Sequence, residues 1–95
     1  MPHYYKRRWN ASRADRYDAW GHSWWFFETD DAFWPSRQIE IYDAGQVLFY
    51  HRGRLEDAYG GLSDAPLDAD EFEPFRIDRA EFEHAWARHE PLNGA

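Results

Sequence analysis

The chain has 95 residues, no cysteine, an aromatic content of 20% and a formal net charge of −7. Its length predicts one domain, residues 1–95, with a single modest core, and its many large rings exclude a disordered chain. The lack of cysteine excludes disulfides and thiolate metal sites.

The negative charge lies in the later part of the sequence. Residues 1–25 contain five Lys or Arg and two Asp, a charge of +3, whereas residues 26–95 contain six Lys or Arg and sixteen Asp or Glu, a charge of −10. The acidic residues are densest from Glu56 to Glu83. A negative field repels nucleic acids and attracts basic partners, although such charge also serves solubility alone. We therefore expect another protein, of basic charge, as a partner rather than a nucleic acid.

The N-terminal residues Met1 to Lys6 have no apolar run ahead of the charged residues. No part of the sequence approaches the about 18 consecutive apolar residues that a membrane span requires. We therefore expect no secretory signal and no membrane contact, and a cytoplasmic location.

The first predicted strand runs from Tyr4 to Trp9. Side chains alternate between the two faces of a strand, so Tyr5, Arg7 and Trp9 share one face and Tyr4, Lys6 and Arg8 share the other. This alternation separates the neighbouring cations. It therefore argues against a nucleic-acid stripe at this point, despite the rings on which bases could stack.

A long connection follows the first strand, from Asn10 to Ser23. The sequence predicts one short helical stretch in it, ending near Trp20. Its predicted features are caps at Ser12 and Asp15, inward side chains at Ala14 and Tyr17, and an end at Gly21.

Three further strands are predicted to complete an antiparallel meander. They run from Trp24 to Thr29, from Ser36 to Tyr42 and from Gln46 to His51. The last two are joined by Asp43-Ala44-Gly45, a tight hairpin whose glycine suits a positive φ. The segment from Arg52 to Glu73 is rich in Gly and Pro, which predicts a loop that wraps the sheet edge or has a function. Phe75-Arg76-Ile77 can add a short edge strand.

A helix is predicted from Asp78 to about His89. Asp78 can accept from backbone N–H groups of the first turn, and Glu81 can reach back to the cap residue. An apolar stripe at helical spacing consists of Phe82, Ala85, Trp86 and His89. The predicted fold is therefore α+β: a three- to four-stranded antiparallel meander with one C-terminal α-helix packed on one face.

Several segments together resemble a bacterial family of short domains designated domain of unknown function 6881. The resemblance covers most of the chain and rests on Phe27-Glu28, Arg37 to Gly45, Asp70 to Pro74, Ile77, and Glu81 to Trp86. It implies a shared fold and no established activity, and it suggests a companion of bacterial conflict systems. The chain departs from the family pattern in its longer first connection and in Arg7, where an apolar residue is usual.

Glu28, Arg37 and Glu40 form the candidate polar site, because they lie on neighbouring strands within apolar sequence. Glu40 is predicted on the face opposite Arg37, so the three cannot meet on one flat face. A Glu28–Arg37 pair is either a structural ion pair that fixes strand register or part of an acid/base or anion-binding site.

The histidines do not have the spacing of a metal site. His84 and His89 are five residues apart, whereas a zinc pair on a helix needs a separation of four. We therefore expect no metal, and no other cofactor is indicated.

One helix cannot cover a four-stranded sheet, because a helix of about eleven residues spans roughly 16 Å. We therefore expect an uncovered aromatic face that binds a partner, unless the long loops cover it. This face is lined by Tyr4, Trp25 and Phe27 or by their neighbours, since the pattern leaves open which side of the sheet the helix covers. The predicted contact residues are aromatic anchors and acidic steering residues: Trp25, Phe27, Tyr42, Asp68, Asp70 and Glu71.

The leading functional hypothesis is a non-enzymatic protein-binding module, in particular an immunity-type inhibitor of a basic bacterial toxin. One alternative is a small-molecule-binding protein or small enzyme. Its pocket would be formed by Trp24, Trp25 and Tyr42, with Glu28, Arg37 or Glu40 orienting the ligand. A second alternative is a homodimeric assembly subunit held together by the same aromatic face.

Overall fold

A five-stranded antiparallel sheet and a C-terminal helix form the frame of the molecule, as the computed structural model shows for residues 1–93. Four strands follow one another as the predicted meander: β1 (His3–Trp9), β2 (Ser23–Thr29), β3 (Pro35–Tyr42) and β4 (Val47–His51). The shorter elements are β5 (Glu56–Asp57), β6 (Gly60–Gly61), α1 (Ala69–Phe72) and β7 (Arg76–Ile77), and the long helix is α2 (Arg79–Arg88). The sheet order is β4-β3-β2-β1-β7, so the predicted α+β class is confirmed, with a fifth strand at the edge.

The strand register sets which side chains share a face. Strand β1 pairs with β2 so that Tyr5 lies opposite Phe27 and Arg7 opposite Trp25. The hairpin between β3 and β4 has the predicted form, because Gly45 has a φ of +106° and its N–H donates to the Tyr42 carbonyl at 2.9 Å.

Helix α2 covers one face of the sheet, which we call the helix face. Phe82 and Ala85 are buried there, in a core that also contains Tyr4, Phe26, Ile39, Val47 and Phe49. The predicted cap is confirmed, since Asp78 Oδ1 accepts from the Glu81 N–H at 2.8 Å. The Glu81 carboxylate does not reach back as predicted; it lies 3.5 Å from Lys6 Nζ, because the sheet brings a cation within its reach.

We call the opposite face of the sheet the open face, which consists of Tyr5, Arg7, Trp9, Trp25, Phe27, Gln38, Glu40, Tyr42, Leu48 and Tyr50. Short elements cover it in part. Phe72 of α1 packs on Tyr5 and Phe27, and Trp20, Tyr59 and Leu62 pack on the β3–β4 end. Aromatic rings therefore form a core on both faces of the sheet.

The helical stretch predicted in the first connection is shorter than expected and lacks the predicted caps at Ser12 and Asp15. Only Asp18–Trp20 is helical, as a single 3₁₀ turn, and Ala14 is exposed with a φ of +58°. Aspartates hold turns here instead: Asp15 Oδ1 accepts from the Tyr17 N–H at 2.8 Å, and Asp18 Oδ1 accepts from the Ala14 N–H at 3.1 Å. Such local bonds compete with helix formation. Gly21 ends the turn as predicted, with a φ of +84°.

Residues near the C-terminus cover the outer edge of β4. The Leu92 N–H donates to the Val47 carbonyl at 2.7 Å. The Asn93 side chain accepts from the Phe49 N–H at 3.2 Å and donates to the Phe49 carbonyl at 2.8 Å. These bonds occupy backbone groups that an edge strand would otherwise present to other chains.

Candidate binding surface

Two cavities lie side by side on the open face. One, which we call the polar cavity, has a volume of about 290 Å³ and includes Glu40, Tyr42 and Arg13 in its lining. The other, the apolar cavity, has a volume of about 300 Å³. Trp9 and Trp25 line both cavities, so the two adjoin, and we call the pair the groove.

A buried carboxylate forms part of the wall of the polar cavity. Glu40 is only 3% exposed; it accepts from the Tyr42 hydroxyl at 2.6 Å and from Gln38 Nε2 at 2.8 Å. Gln38, Glu40 and Tyr42 are every second residue of β3, so their side chains point to the same face. Because burial removes water from the charged form, the pKa of Glu40 is raised.

A guanidinium from the first connection lies in the same cavity. Arg13 donates to the Tyr59 carbonyl, and to the Tyr42 hydroxyl at 3.4 Å. It also lies 3.2 Å from the Asp15 carboxylate and 5.5 Å from the Trp20 ring centroid. Sequence reasoning did not single out Arg13, because only the tertiary fold brings this loop to β3.

The apolar cavity is walled by Trp9, Trp25, Phe27 and Phe72, with Arg7 at its edge. Trp9 is 51% exposed, whereas the Trp25 indole is fixed by donating to Ser23 Oγ at 2.8 Å. The Arg7 guanidinium lies 5.0 Å from the Phe72 ring centroid. Phe72 and Trp9 were not among the predicted contact residues.

An acidic segment borders the groove. The sequence from Glu56 to Glu73 contains seven Asp or Glu and no Lys, Arg or His. This segment contributes Tyr59, Gly60 and Gly61 to the polar cavity and Phe72 to the apolar cavity. The cavities therefore lie next to carboxylates.

The predicted aromatic contact residues share the open face. Trp25 and Phe27 line the apolar cavity and Tyr42 lines the polar one. Phe27 and Tyr42 are buried, however, so of these three Trp25 offers the most accessible surface. Their part in binding stays a prediction.

The three predicted acidic contact residues lie on or next to α1 and have different roles. Asp68 is the cap of this turn, and its Oδ1 accepts from the Asp70 and Glu71 N–H groups at 3.0 Å each. Glu71 lies 3.2 Å from Arg7. All three are exposed, but Asp70 neither caps the turn nor pairs with Arg7, which makes it the best placed of the three to attract a partner. The cap was not predicted, although an Asp just before a helical turn is its usual signal.

The predicted pocket of Trp24, Trp25 and Tyr42 does not form, because adjacent residues of a strand point to opposite faces. Trp24 lies on the helix face, where Lys6 Nζ is 4.9 Å from its ring centroid. Only Glu40 of the proposed orienting residues lies in a cavity with Trp25 and Tyr42.

Glu28 and Arg37 belong to an ion-pair network on the helix face. Arg37 donates twice to the Glu28 carboxylate, both at 2.8 Å, and twice to the Glu83 carboxylate, both at 2.9 Å. Tyr4 donates to Glu28 at 3.0 Å. Hydrogen bonds from Arg37 hold the pKa values of Glu28 and Glu83 below their usual range. The network joins α2 to the sheet, and Glu40 lies on the other face, as the strand alternation predicts.

Among residues 1–93, no three His, Asp or Glu side chains come together as a metal site requires. No helix in that part of the chain is long and apolar enough to cross a membrane.

Comparison with known proteins found no matching family model, no similar curated protein and no similar solved structure. The resemblance to the bacterial domain family stays a prediction.

Proposed function

We propose that the chain is a non-enzymatic protein-binding module and that the groove on its open face receives a basic partner. The observation that carries this proposal is the pair of adjoining cavities, which share Trp9 and Trp25 and are bordered by the acidic segment. An immunity-type inhibitor of a basic bacterial toxin, acting in the cytoplasm, is the form of this function that we favour.

The groove has the features of an interface centre. Aromatic side chains in desolvated pockets contribute much of the binding free energy of protein complexes. Trp9 is exposed and Trp25 is half-buried, so a partner can remove further ring surface from water. Phe27 and Phe72 below them are already packed and supply a rigid floor.

Charge around the groove favours a basic partner. Complementary charge at an interface raises the association rate and selects the partner more than it adds affinity. Exposed carboxylates at Asp68, Asp70 and Glu71 can provide this attraction next to the apolar cavity.

Selection from a random-peptide display library tests the proposal. We expect enriched peptides to pair an Arg or Lys with an aromatic or large apolar residue. Their affinity should fall about tenfold or more in Trp9→Ala, the loss typical of an aromatic anchor. Trp24→Ala is the matched control, because Trp24 is 39% exposed but lies on the helix face. Peptides that bind Trp9→Ala as well as they bind the unchanged chain would refute the proposal.

A small-molecule-binding function is the second candidate. It is favoured by the size of the cavities and by the buried carboxylate in one of them. Enriched peptides without basic residues, together with a small ligand that competes for the groove, would favour this candidate. A dimer in sedimentation experiments that dissociates in Trp9→Ala would favour a homodimeric subunit instead.

A further inference from the structure

We infer that the polar cavity binds an arginine side chain of the partner, which displaces Arg13 of this chain and pairs with Glu40. The identity of the partner rests on the proposed function. The chemistry of the cavity rests on the contacts of Glu40 and Arg13.

Glu40 has the surroundings of a carboxylate that lacks a cation. Its two hydrogen-bond donors, Tyr42 and Gln38, are both neutral. Among residues 1–93, no Lys, Arg or His nitrogen comes within 4.0 Å of its carboxylate oxygens. A buried carboxylate without a paired cation is costly, so a positive group entering the cavity gains from this charge.

The contacts of Arg13 show which cation the cavity suits. Its guanidinium lies 5.1 Å from the Tyr17 ring centroid and 5.8 Å from that of Tyr42, and it donates to the Tyr59 carbonyl. A planar group with several donors matches aromatic faces and separate acceptors better than a compact ammonium does. The cavity therefore fits arginine in preference to lysine.

Arg13 can be displaced because it comes from a surface loop and not from the sheet. Its neighbours Ser12 and Ala14 are both exposed. Ala14 has a φ of +58°, a left-handed conformation that is unfavourable for a residue other than glycine. Movement of the loop would release this strain, so withdrawal of Arg13 has a compensating gain.

Binding should depend on pH through Glu40. Burial raises the pKa of Glu40, and the nearby negative charge of Asp57 adds to this effect. The hydrogen bonds from Tyr42 and Gln38 and the positive charge of Arg13 counteract it. Replacing Arg13 with alanine therefore raises that pKa further. A guanidinium binds the ionised carboxylate, so its affinity for Arg13→Ala should increase as the pH rises through the pKa of Glu40, with release of protons.

The test uses agmatine, a small dication with one guanidinium and one ammonium group, and compares the unmodified chain with three variants. Arg13→Ala should bind agmatine about tenfold or more tightly than the unmodified chain, since a charged hydrogen-bonding group no longer occupies the cavity. Adding Glu40→Gln to Arg13→Ala should remove that gain. Arg88→Ala is the matched control, because exposed Arg88 lies on α2 at the helix face and should leave agmatine affinity unchanged. Equal affinity of Arg13→Ala and Arg88→Ala would overturn the inference.

A second measurement covers the case in which Arg13→Ala does not fold. In the unmodified chain, agmatine titration should shift the Arg13 Nε–H signal in NMR spectra and leave the Arg37 signal in place. A titration that moves neither signal would also overturn the inference.

Failure of the inference can be told from failure of the proposed function. Agmatine binding to Arg13→Ala without any enriched peptide supports the cavity chemistry and removes the protein-binding proposal. Peptides that bind the groove equally well after their arginine is replaced with alanine support the proposal and overturn this inference.

Discussion

At the scale of single residues, Arg37 has the most defined role. Its guanidinium donates to two carboxylates, Glu28 and Glu83, and lies 4.8 Å from the Phe82 ring centroid. The strand pattern predicted a pair between Arg37 and Glu28, because the two residues lie on neighbouring strands. The pattern could not predict that Glu83 also accepts hydrogen bonds from Arg37, because this contact depends on how helix α2 is placed on the sheet.

Replacing Arg37 with methionine should destabilise the fold. Two partly buried carboxylates lose their cation, which we expect to cost about 2–3 kcal/mol, less than for a fully buried pair because water reaches this network. Urea unfolding measures the loss. Arg79→Ala is the control: Arg79 is 75% exposed in its ion pair with Glu83 and should change the unfolding free energy by about 0.5 kcal/mol or less. Equal losses would contradict the assigned role.

The same network predicts a loss of stability in acid. The folded-state pKa values of Glu28 and Glu83 are lowered from 4.5. The unfolded chain therefore binds protons first as the pH falls, and the unfolding free energy should decrease as the pH drops below this value. Unfolding free energies measured across this pH range should fall less steeply in Arg37→Met. Parallel curves would show that the network does not titrate as inferred.

At the scale of elements, the sequence predicted what local patterning controls. Apolar alternation, Gly45 and the Asp78 cap predicted the meander, the tight hairpin and helix α2. The first connection was mispredicted because Asp15 and Asp18 bond to nearby backbone N–H groups. The sequence also did not predict that both faces of the sheet have a core, because short elements such as α1 are too short to show a periodic apolar pattern.

Asn93 should stabilise the edge strand β4. Asn93→Ala removes the bonds to both backbone groups of Phe49 and the one from Asn93 Nδ2 to Asp57 Oδ2 at 2.9 Å. We expect a loss of about 1–2 kcal/mol and faster hydrogen exchange at the Phe49 amide. Leu92→Ala is the control, because Leu92 bonds through its backbone. Unchanged exchange at Phe49 in Asn93→Ala would argue against this role.

At the scale of the whole molecule, the two sheet faces differ in their availability. On the helix face, α2 buries Phe82 and Ala85 against the sheet, and a cavity of about 450 Å³ remains beside Lys6, Trp24 and Glu81. The open face has the two cavities that share Trp9 and Trp25. The sequence predicted an aromatic face that the helix leaves uncovered and listed Trp25, Phe27 and Tyr42 as contact residues, without deciding which face the helix covers. Short elements cover this face in part. The sequence could not predict Trp9, Arg13 and Phe72 as neighbours of the contact residues, because these come from distant segments.

Long-range attraction should depend on the acidic side of the groove. Asp70→Lys should slow association with a basic peptide, and added salt should reduce the difference from the unmodified chain. Asp70 is suited to this change because Asp68, and not Asp70, caps α1. Glu90→Lys is the matched control, since Glu90 is exposed next to the β4 edge. Stopped-flow association rates that fall equally in both variants would indicate an effect of net charge alone.

The most direct measurement of the central claim is NMR mapping of a bound basic peptide through the tryptophan indole N–H signals. Trp9 and Trp25 line the groove, whereas Trp24 and Trp86 lie on the helix face. We predict that the signals of Trp9 and Trp25 shift on binding and that those of Trp24 and Trp86 stay in place. Shifts confined to Trp24 and Trp86 would contradict the assignment of the open face as the binding surface.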